Sequence, residues 1–522
     1  MRMTNKIMQN NSLYNINNNK ILQDNISTQM STNKKITRPS DDPVIAIRAR
    51  RLRTSVSELT QYYEKNAPDA DSWLEVTGKA LGTVTSVITD LLKLANKGAN
   101  KKLGAEDLTI ITEQMKSLRD EYYSTGNVDY AGRYVFTGYR TNTTMSFTKE
   151  VESKDLSYSI TEQLKIGDFD SINSTDMGAL EGLNKNNYKD FDTVTEQDIF
   201  NGDIHRIRLS YDEVKAGVTP SIKYKDKDGN LQTIGGADIK TVSTGDTPDP
   251  YQSVLTANEA EPLEELVVFV PETGEILFSD ASYSKLAASV TPDTEFQVTY
   301  EKDSWKDGDL RPEHYFACTS TSKAADGTET KVNYNKEYLD GAEDSQIIEY
   351  DVGYNQKIRV NTTAREAFTH DLNRDVEDLE NALSRLTEIE ATKADLKTVA
   401  AGLEEGTAEY EMVQKQIDAA NKAYDYVREN MHSMFESTIT SMQGYLDMAN
   451  VAITDNGTRS SRLELVSNRL MEQKTTFKTL QSENEDADIA DVAIKLTSTE
   501  LTYNAALMAT GKIMQTSLMN YI

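Results

Sequence analysis

One cysteine, Cys318, occurs in 522 residues. No internal disulfide can form, and a four-cysteine zinc site is excluded. A lone cysteine of this kind reads as a packed or surface side chain rather than a nucleophile. Histidine is nearly as scarce: His205, His314, His370 and His432 are the only four, and no two lie within helical reach of each other. There is no H-E-x-x-H and no G-x-S-x-G, and Gly78-Lys79 and Gly511-Lys512 lack the upstream glycine of a phosphate loop. No catalytic residue, metal site or cofactor is therefore expected. No stretch approaches 18 uninterrupted apolar residues, so no membrane insertion is expected. The first twenty residues also lack the apolar centre of a cleavable secretory signal, so an exported chain would need another route.

Positive charge is in short supply as well. The chain has 56 Lys and Arg against 84 Asp and Glu, a net charge of −28. Nucleic acid needs clustered cations and is excluded as a partner. The deficit is uneven, because residues 1–65 hold eleven Lys and Arg and only five Asp and Glu. An acidic outer surface would keep a crowded, secreted subunit soluble. Only 38% of residues are hydrophobic, and the mean hydropathy is −0.59. Such values suit long helices wetted over most of their surface.

What the sequence does contain is heptad pattern at both ends. Residues 1–140 and 364–522 read as amphipathic helices, and residues 141–363 as short strands and turns. The first 33 residues carry nine Asn, yet a skeleton of Met3, Ile7, Asn10, Tyr14, Asn17 and Ile21 remains. So weak a seam does not offset the entropy of ordering an isolated helix. Asn at seam positions can still specify register and partner number.

Pro39, Ser40, Asp41, Asp42 and Pro43 then mark a helix start, with Ser40 as the cap and the two carboxylates in the first turn. Three stripes follow: from Ile45 to Tyr63, from Trp73 after Pro68 to Leu94, and from Leu108 to Tyr122. The period changes at residues 132–139, where aromatic and β-branched residues between glycines predict a strand or tight hairpin. Asp228-Gly229 and Thr273-Gly274 interrupt further strand pairs, and residues 344–360 predict a last hairpin. Asp226, Asp228 and Asn230 lack the glycine position and the final Glu of a calcium loop. Helix returns from Phe368, is broken at residues 402–406, turns at Asp455-Asn456-Gly457, and breaks again at SENEDAD. A final stripe follows: Ile489, Val492, Leu496, Thr499, Tyr503, Ala506, Thr510 and Ile513.

Several blocks resemble the flagellin superfamily: the Met1-Arg2-Met3-Thr4 start, Arg38-Pro39-Ser40-Asp41-Asp42-Pro43, and the basic run 48–53. Residues 66–74 (NAPDADSWL), 132–141 (GRYVFTGYRT) and 462–522, ending in SLMNYI, complete the set. The resemblance covers roughly residues 1–145 and 345–522. It implies a mainly α fold with an inserted β region, in which both termini build an elongated coiled-coil-like bundle and the insert forms an outer β domain. Residues 1–40 and 481–522 would be inner-core helices, 41–140 and 364–480 the bundle, and 141–363 a variable domain of one or two subdomains.

It further implies a non-enzymatic structural subunit of the bacterial flagellum, exported through the flagellar type III apparatus to the extracellular filament base. Its place would be between hook and filament, with copies of itself, the first hook-associated protein, flagellin and a cytosolic export chaperone as partners. Filament flagellin is the alternative within the class, and an adhesin or enzyme carried in the insert is the alternative outside it. Ile7, Tyr14, Ile21, Leu496, Tyr503 and Ile513 are the expected assembly contacts.

Overall fold

The computed structural model describes residues 5–151, 155–323, 328–340 and 346–515. The opening Met1-Arg2-Met3-Thr4, Asp344 and the closing SLMNYI lie outside the described residues. The chain is mainly helical with an inserted β-rich region.

Four helices open it: α1 (Asn5–Thr32), α2 (Pro43–Gln61), α3 (Ala67–Gly98) and α4 (Ala105–Thr125). Strands β1 (Asp129–Tyr130) and β2 (Arg133–Tyr134) follow as a hairpin. Its two loop residues, Ala131 and Gly132, both have positive φ, the geometry of a type I′ turn. The insert then supplies β3 (Leu156–Lys165), β4 (Asp170–Asp176), β5 (Phe200–Arg208), β6 (Ser221–Lys225), β7 (Leu231–Ile234) and β8 (Lys240–Thr241). It continues through α5 (Pro250–Glu259), β9 (Val267–Val270), β10 (Glu275–Phe278), α6 (Asp280–Ser289), β11 (Glu295–Lys302), β12 (Ala317–Lys323) and β13 (Glu329–Tyr334). The chain returns through β14 (Glu349–Gly353), β15 (Gln356–Arg359), α7 (Ala364–Ala367), α8 (Asp371–Ala400), α9 (Ala408–Glu485) and α10 (Ile489–Gln515).

The chain divides into two compact units. One comprises Met1–Asp71, Tyr350–Ile358 and Ser461–Ile522; the other comprises Ser72–Glu349 and Arg359–Ser460.

Within the larger unit the insert is a pair of sheets. One has the order β4-β5-β10-β9-β8, and the other, wholly antiparallel, has the order β13-β12-β3-β11-β6-β7. They share one core, in which Ile160 and Tyr300 of the second sheet meet Ile276 and Phe278 of the first. Alternate residues of the five-stranded sheet, Val268, Val270 and Leu277, pack instead with Val254 and Leu255 of α5. This sheet is thus covered on both faces, and every residue of β10 is buried. The expected hairpins at Asp228-Gly229 and Thr273-Gly274 are β6–β7 and β9–β10. The Asp226 carboxylate accepts from the amides of Asp228 and Asn230 at 3.0 and 2.8 Å, so it closes the turn. Helices α5 and α6 were not legible as such. Each starts from a side-chain cap, Asp249 ahead of Pro250 and Ser279 ahead of Asp280.

Two expected breaks are absent. Helix continues past Pro68, because a π-turn at Tyr62–Asn66 separates α2 from α3 and the Ala67 amide donates to the Tyr62 carbonyl. The wider turn eases the loss of one donor at Pro68 and the clash of its ring with the preceding turn. Asp455-Asn456-Gly457 is likewise not a turn but lies inside α9, which runs unbroken for 78 residues. Asn456 is buried, and its amide donates to the Leu74 carbonyl at 2.9 Å. Gly78 makes room for it, since a Cβ there would sit 2.9 Å from the Asn456 amide nitrogen. A tertiary contact overrides the local turn preference. The break at residues 402–406 does separate α8 from α9, with Gly406 at φ +83.

Candidate assembly surface

Helices α1 and α10 pack against each other. On α1 the covered positions are Gln9, Ser12, Ile16, Asn19, Gln23 and Ile26; on α10 they are Val492, Leu496, Thr499, Tyr503, Ala506 and Thr510. Both sets alternate in steps of three and four, as in a two-stranded seam. The seam is poor in apolar surface, with only Ile26 and Val492 as fully buried aliphatic side chains.

The opposite faces are richer. Ile7, Tyr14 and Ile21, seven residues apart, are between 49% and 67% exposed, and Leu13 and Leu22 flank them. Ile494, Leu501 and Met508, also seven apart, are 70–72% exposed. Each helix therefore turns its better hydrophobic stripe away from its partner. The expected contact residues fall into two groups. Leu496 and Tyr503 lie on the seam within the chain, whereas Ile7, Tyr14 and Ile21 face away from it. The Ile513 side chain lies outside the described residues. Ile494, Leu501 and Met508 escaped the sequence reading, which followed the other α10 stripe. Their seven-residue spacing was the available signal.

The chain breaks after α1 and after α9 lie side by side. The Lys35 amide donates to the Glu485 carbonyl at 2.8 Å, and the Ala487 amide to the Asn33 carbonyl at 3.0 Å. Side chains reinforce this joint. Arg53 grips the buried Glu485 carboxylate with two hydrogen bonds, 2.7 and 2.5 Å long. Lys34 pairs with Asp486. Hydrogen bonds from Arg53 hold the Glu485 carboxyl below its usual range. Those from Lys34 and Ser482 do the same for Asp486.

Beside the joint, capping falls to Asp42 rather than Ser40. The Asp42 carboxylate accepts from the amides of Val44 and Ile45, with Pro43 at the first helical position. The Asp41 carboxylate accepts from the amides of Arg38 and Thr37 and closes the preceding turn, which holds its pKa down. Among the described residues no cluster of His, Cys, Asp or Glu could hold a metal ion, and no helix is long and apolar enough to cross a membrane. Buried Cys318 packs in the insert core, where burial pushes its thiol well above the usual range.

Residues 3–141, from α1 through the β1–β2 hairpin, match the bacterial flagellin N-terminal helical region. Over these residues the chain is similar to the flagellin N-terminal region. It is 28% identical over 142 residues to the flagellar hook-associated protein 3 of Salmonella typhimurium, covering 27% of this chain and 44% of that protein. The protein of the same name from Escherichia coli is 28% identical over 144 residues, covering 27% and 45%. The chain thus spans less than half the length of the curated relatives it matches. Among solved structures, it is similar to FlgL of Xanthomonas campestris at 12% identity, over 83% of this chain and 99% of that one, with a TM-score of 0.31. A putative flagellar hook-associated protein from Vibrio parahaemolyticus is also 12% identical, over 85% and 100%, with a TM-score of 0.32.

Proposed function

We propose that this flagellin-like chain is a structural subunit joining the hook of a bacterial flagellum to its filament. The subunit seats on the first hook-associated protein, forms a ring or short helical layer with copies of itself, and offers that layer to flagellin. A cytosolic chaperone holds it before export through the flagellar type III apparatus to the cell exterior. The names of its curated relatives support this reading.

The observation that carries it is the inverted amphipathicity of α1 and α10. Two exposed heptad-spaced apolar stripes on a weakly apolar helix pair call for cover by other chains. Neighbouring copies supply that cover, so folding of the terminal pair is coupled to association. Ile7, Tyr14 and Ile21 make contacts between copies, together with Ile494, Leu501 and Met508. Leu496 and Tyr503 act within the chain.

The test replaces Ile494, Leu501 and Met508 together with Glu in the bacterium that makes the protein. Circular dichroism should show the rest of the chain folded, while electron microscopy should show hooks without filaments and flagellin lost to the medium. Normal filaments on this variant would overturn the reading. Long filaments formed by the purified parent chain alone would replace it with filament flagellin.

A further inference from the structure

Helix α2 carries a second uncovered face. Ile45, Ala49, Leu52, Val56, Leu59 and Tyr63 form its covered stripe. Val44 and Ile47, on the other side, are 68% and 57% exposed. Arg48 and Arg51 continue the same exposed face at positions i+4 and i+7 from Val44. Neither arginine is paired with a carboxylate among the described residues, whereas nearby Arg53 is committed to Glu485. A basic and apolar strip is conspicuous in a chain whose net charge is −28.

Helix α4 carries a complementary strip. Ile110 is 52% exposed, whereas Leu108 and Ile111, on the other face of the helix, are buried. Glu106 and Glu113 flank Ile110 at helical spacing, and both are exposed. No Lys or Arg pairs with either among the described residues. One strip is therefore apolar with two free cations, and the other is apolar with two free anions.

We infer that the Val44–Ile47–Arg48–Arg51 face of α2 docks on the Glu106–Ile110–Glu113 face of α4 of a second copy of this chain. The inference rests on the proposed self-assembly and names one of its contacts. Ile47 and Val44 cover Ile110, while the two arginines meet the two glutamates. Opposite charges fix register, and like charges would reject the reversed pairing of α2 on α2 or α4 on α4. The contact is heterologous, with different patches on the two partners. It can therefore propagate around a ring or along a helix of subunits, which a self-complementary patch cannot do alone.

Cysteine pairs and charge swaps test it in the producing bacterium. A chain carrying both Ile47→Cys and Ile110→Cys should support filaments and, on mild oxidation of isolated hooks and filaments, give a ladder of linked copies. Either cysteine alone should give none. Filaments without a ladder, or links formed by Ile47→Cys alone, would overturn the contact while leaving the proposed function intact.

Arg48→Glu with Arg51→Glu, and separately Glu106→Lys with Glu113→Lys, should each lower the fraction of filamented cells roughly ten-fold or more. Producing both variants together should restore filaments, because each copy then finds a partner of opposite sign on either side. Failure of that rescue would refute the pairing. If cells lacking the chain altogether still bear filaments, the proposed function falls, and this contact falls with it.

Discussion

Glu162 is the group whose replacement has the most calculable consequence. It lies on the core face of β3, buried, and accepts hydrogen bonds from the Tyr300 hydroxyl and from the Ser210 amide at 3.1 Å. Burial outweighs those bonds and pushes its carboxyl from an ordinary 4.5 up to about 7. The folded chain therefore holds a proton more tightly than the unfolded one. Its stability carries no penalty from Glu162 below pH 4.5, loses ground as pH rises through the interval, and bears the full penalty above about 7. A tenfold difference in proton affinity is worth about 1.4 kcal/mol, so the full penalty is about 3 kcal/mol.

Glu162→Gln keeps an oxygen to accept from Tyr300 and Ser210 but cannot ionise. The stability of the variant relative to the parent should rise by about 2.5 kcal/mol between pH 5 and pH 8. The difference is the quantity to read, because other buried groups titrate too. His314, which burial pushes down to about 4, makes both chains less stable as pH falls below its ordinary value. The assay is denaturant unfolding followed by Trp305 fluorescence. Trp305 packs in the insert core with its ring 4.9 Å from that of Phe147. Trp73 is the only other tryptophan, and a Trp73→Phe background makes the signal specific to the insert. Parent and variant curves that run parallel from pH 5 to pH 8 would refute the buried, proton-holding carboxyl.

Asn456→Ala should lower the stability of the helices by about 1–3 kcal/mol, because it removes a buried hydrogen bond to Leu74 and leaves a gap; a thermal melt followed by circular dichroism measures this. Were residues 455–457 a turn, the same change would raise helix content instead. Glu485→Gln should loosen the joint, seen as faster hydrogen exchange at the Lys35 and Ala487 amides. Acid should mimic it. Because Glu485 is held below its usual range, its stabilisation is present above about pH 4.5 and is lost as pH falls further. Unchanged exchange in both experiments would show that the backbone bonds alone hold the joint.

Much of this fold could be read from residue spacing. The apolar stripes of α2, α3 and α8, the hairpins around Asp228 and Thr273, and the break at residues 402–406 follow from local periodicity and turn chemistry. The misreadings at Asn456 and Pro68 have different origins. Asn456 and Gly457 look like a turn until Leu74 is known to lie opposite, and Pro68 looks like a helix end until a π-turn absorbs it. At Asn456 a partner from distant sequence overrides the local preference, whereas at Pro68 a π-turn just upstream suffices. The candidate assembly surface follows the Asn456 case. On α1 the stripe at Ile7, Tyr14 and Ile21 was visible, but nothing local shows that Gln9, Ser12 and Asn19 form the packed side. Sequence periodicity marks an apolar face without saying whether its cover comes from the same chain.

That ambiguity bears on how the proposed assembly starts. The two outward stripes hold six large side chains, Ile7, Tyr14, Ile21, Ile494, Leu501 and Met508, each at least 49% exposed. Covering them all would release on the order of 10 kcal/mol in gross terms. Immobilising one subunit on another costs about 4–15 kcal/mol. In the proposed layer a single neighbour would cover only part of the stripes, leaving a pair of free subunits less to set against that cost. A subunit arriving where several neighbours already stand gains the whole amount at once. On this arithmetic the seam between α1 and α10 has reason to be weak. A stronger one would require moving Ile or Leu from the outer faces into the seam, and the edge of a growing layer would then hold its next subunit no better than a collision in solution does.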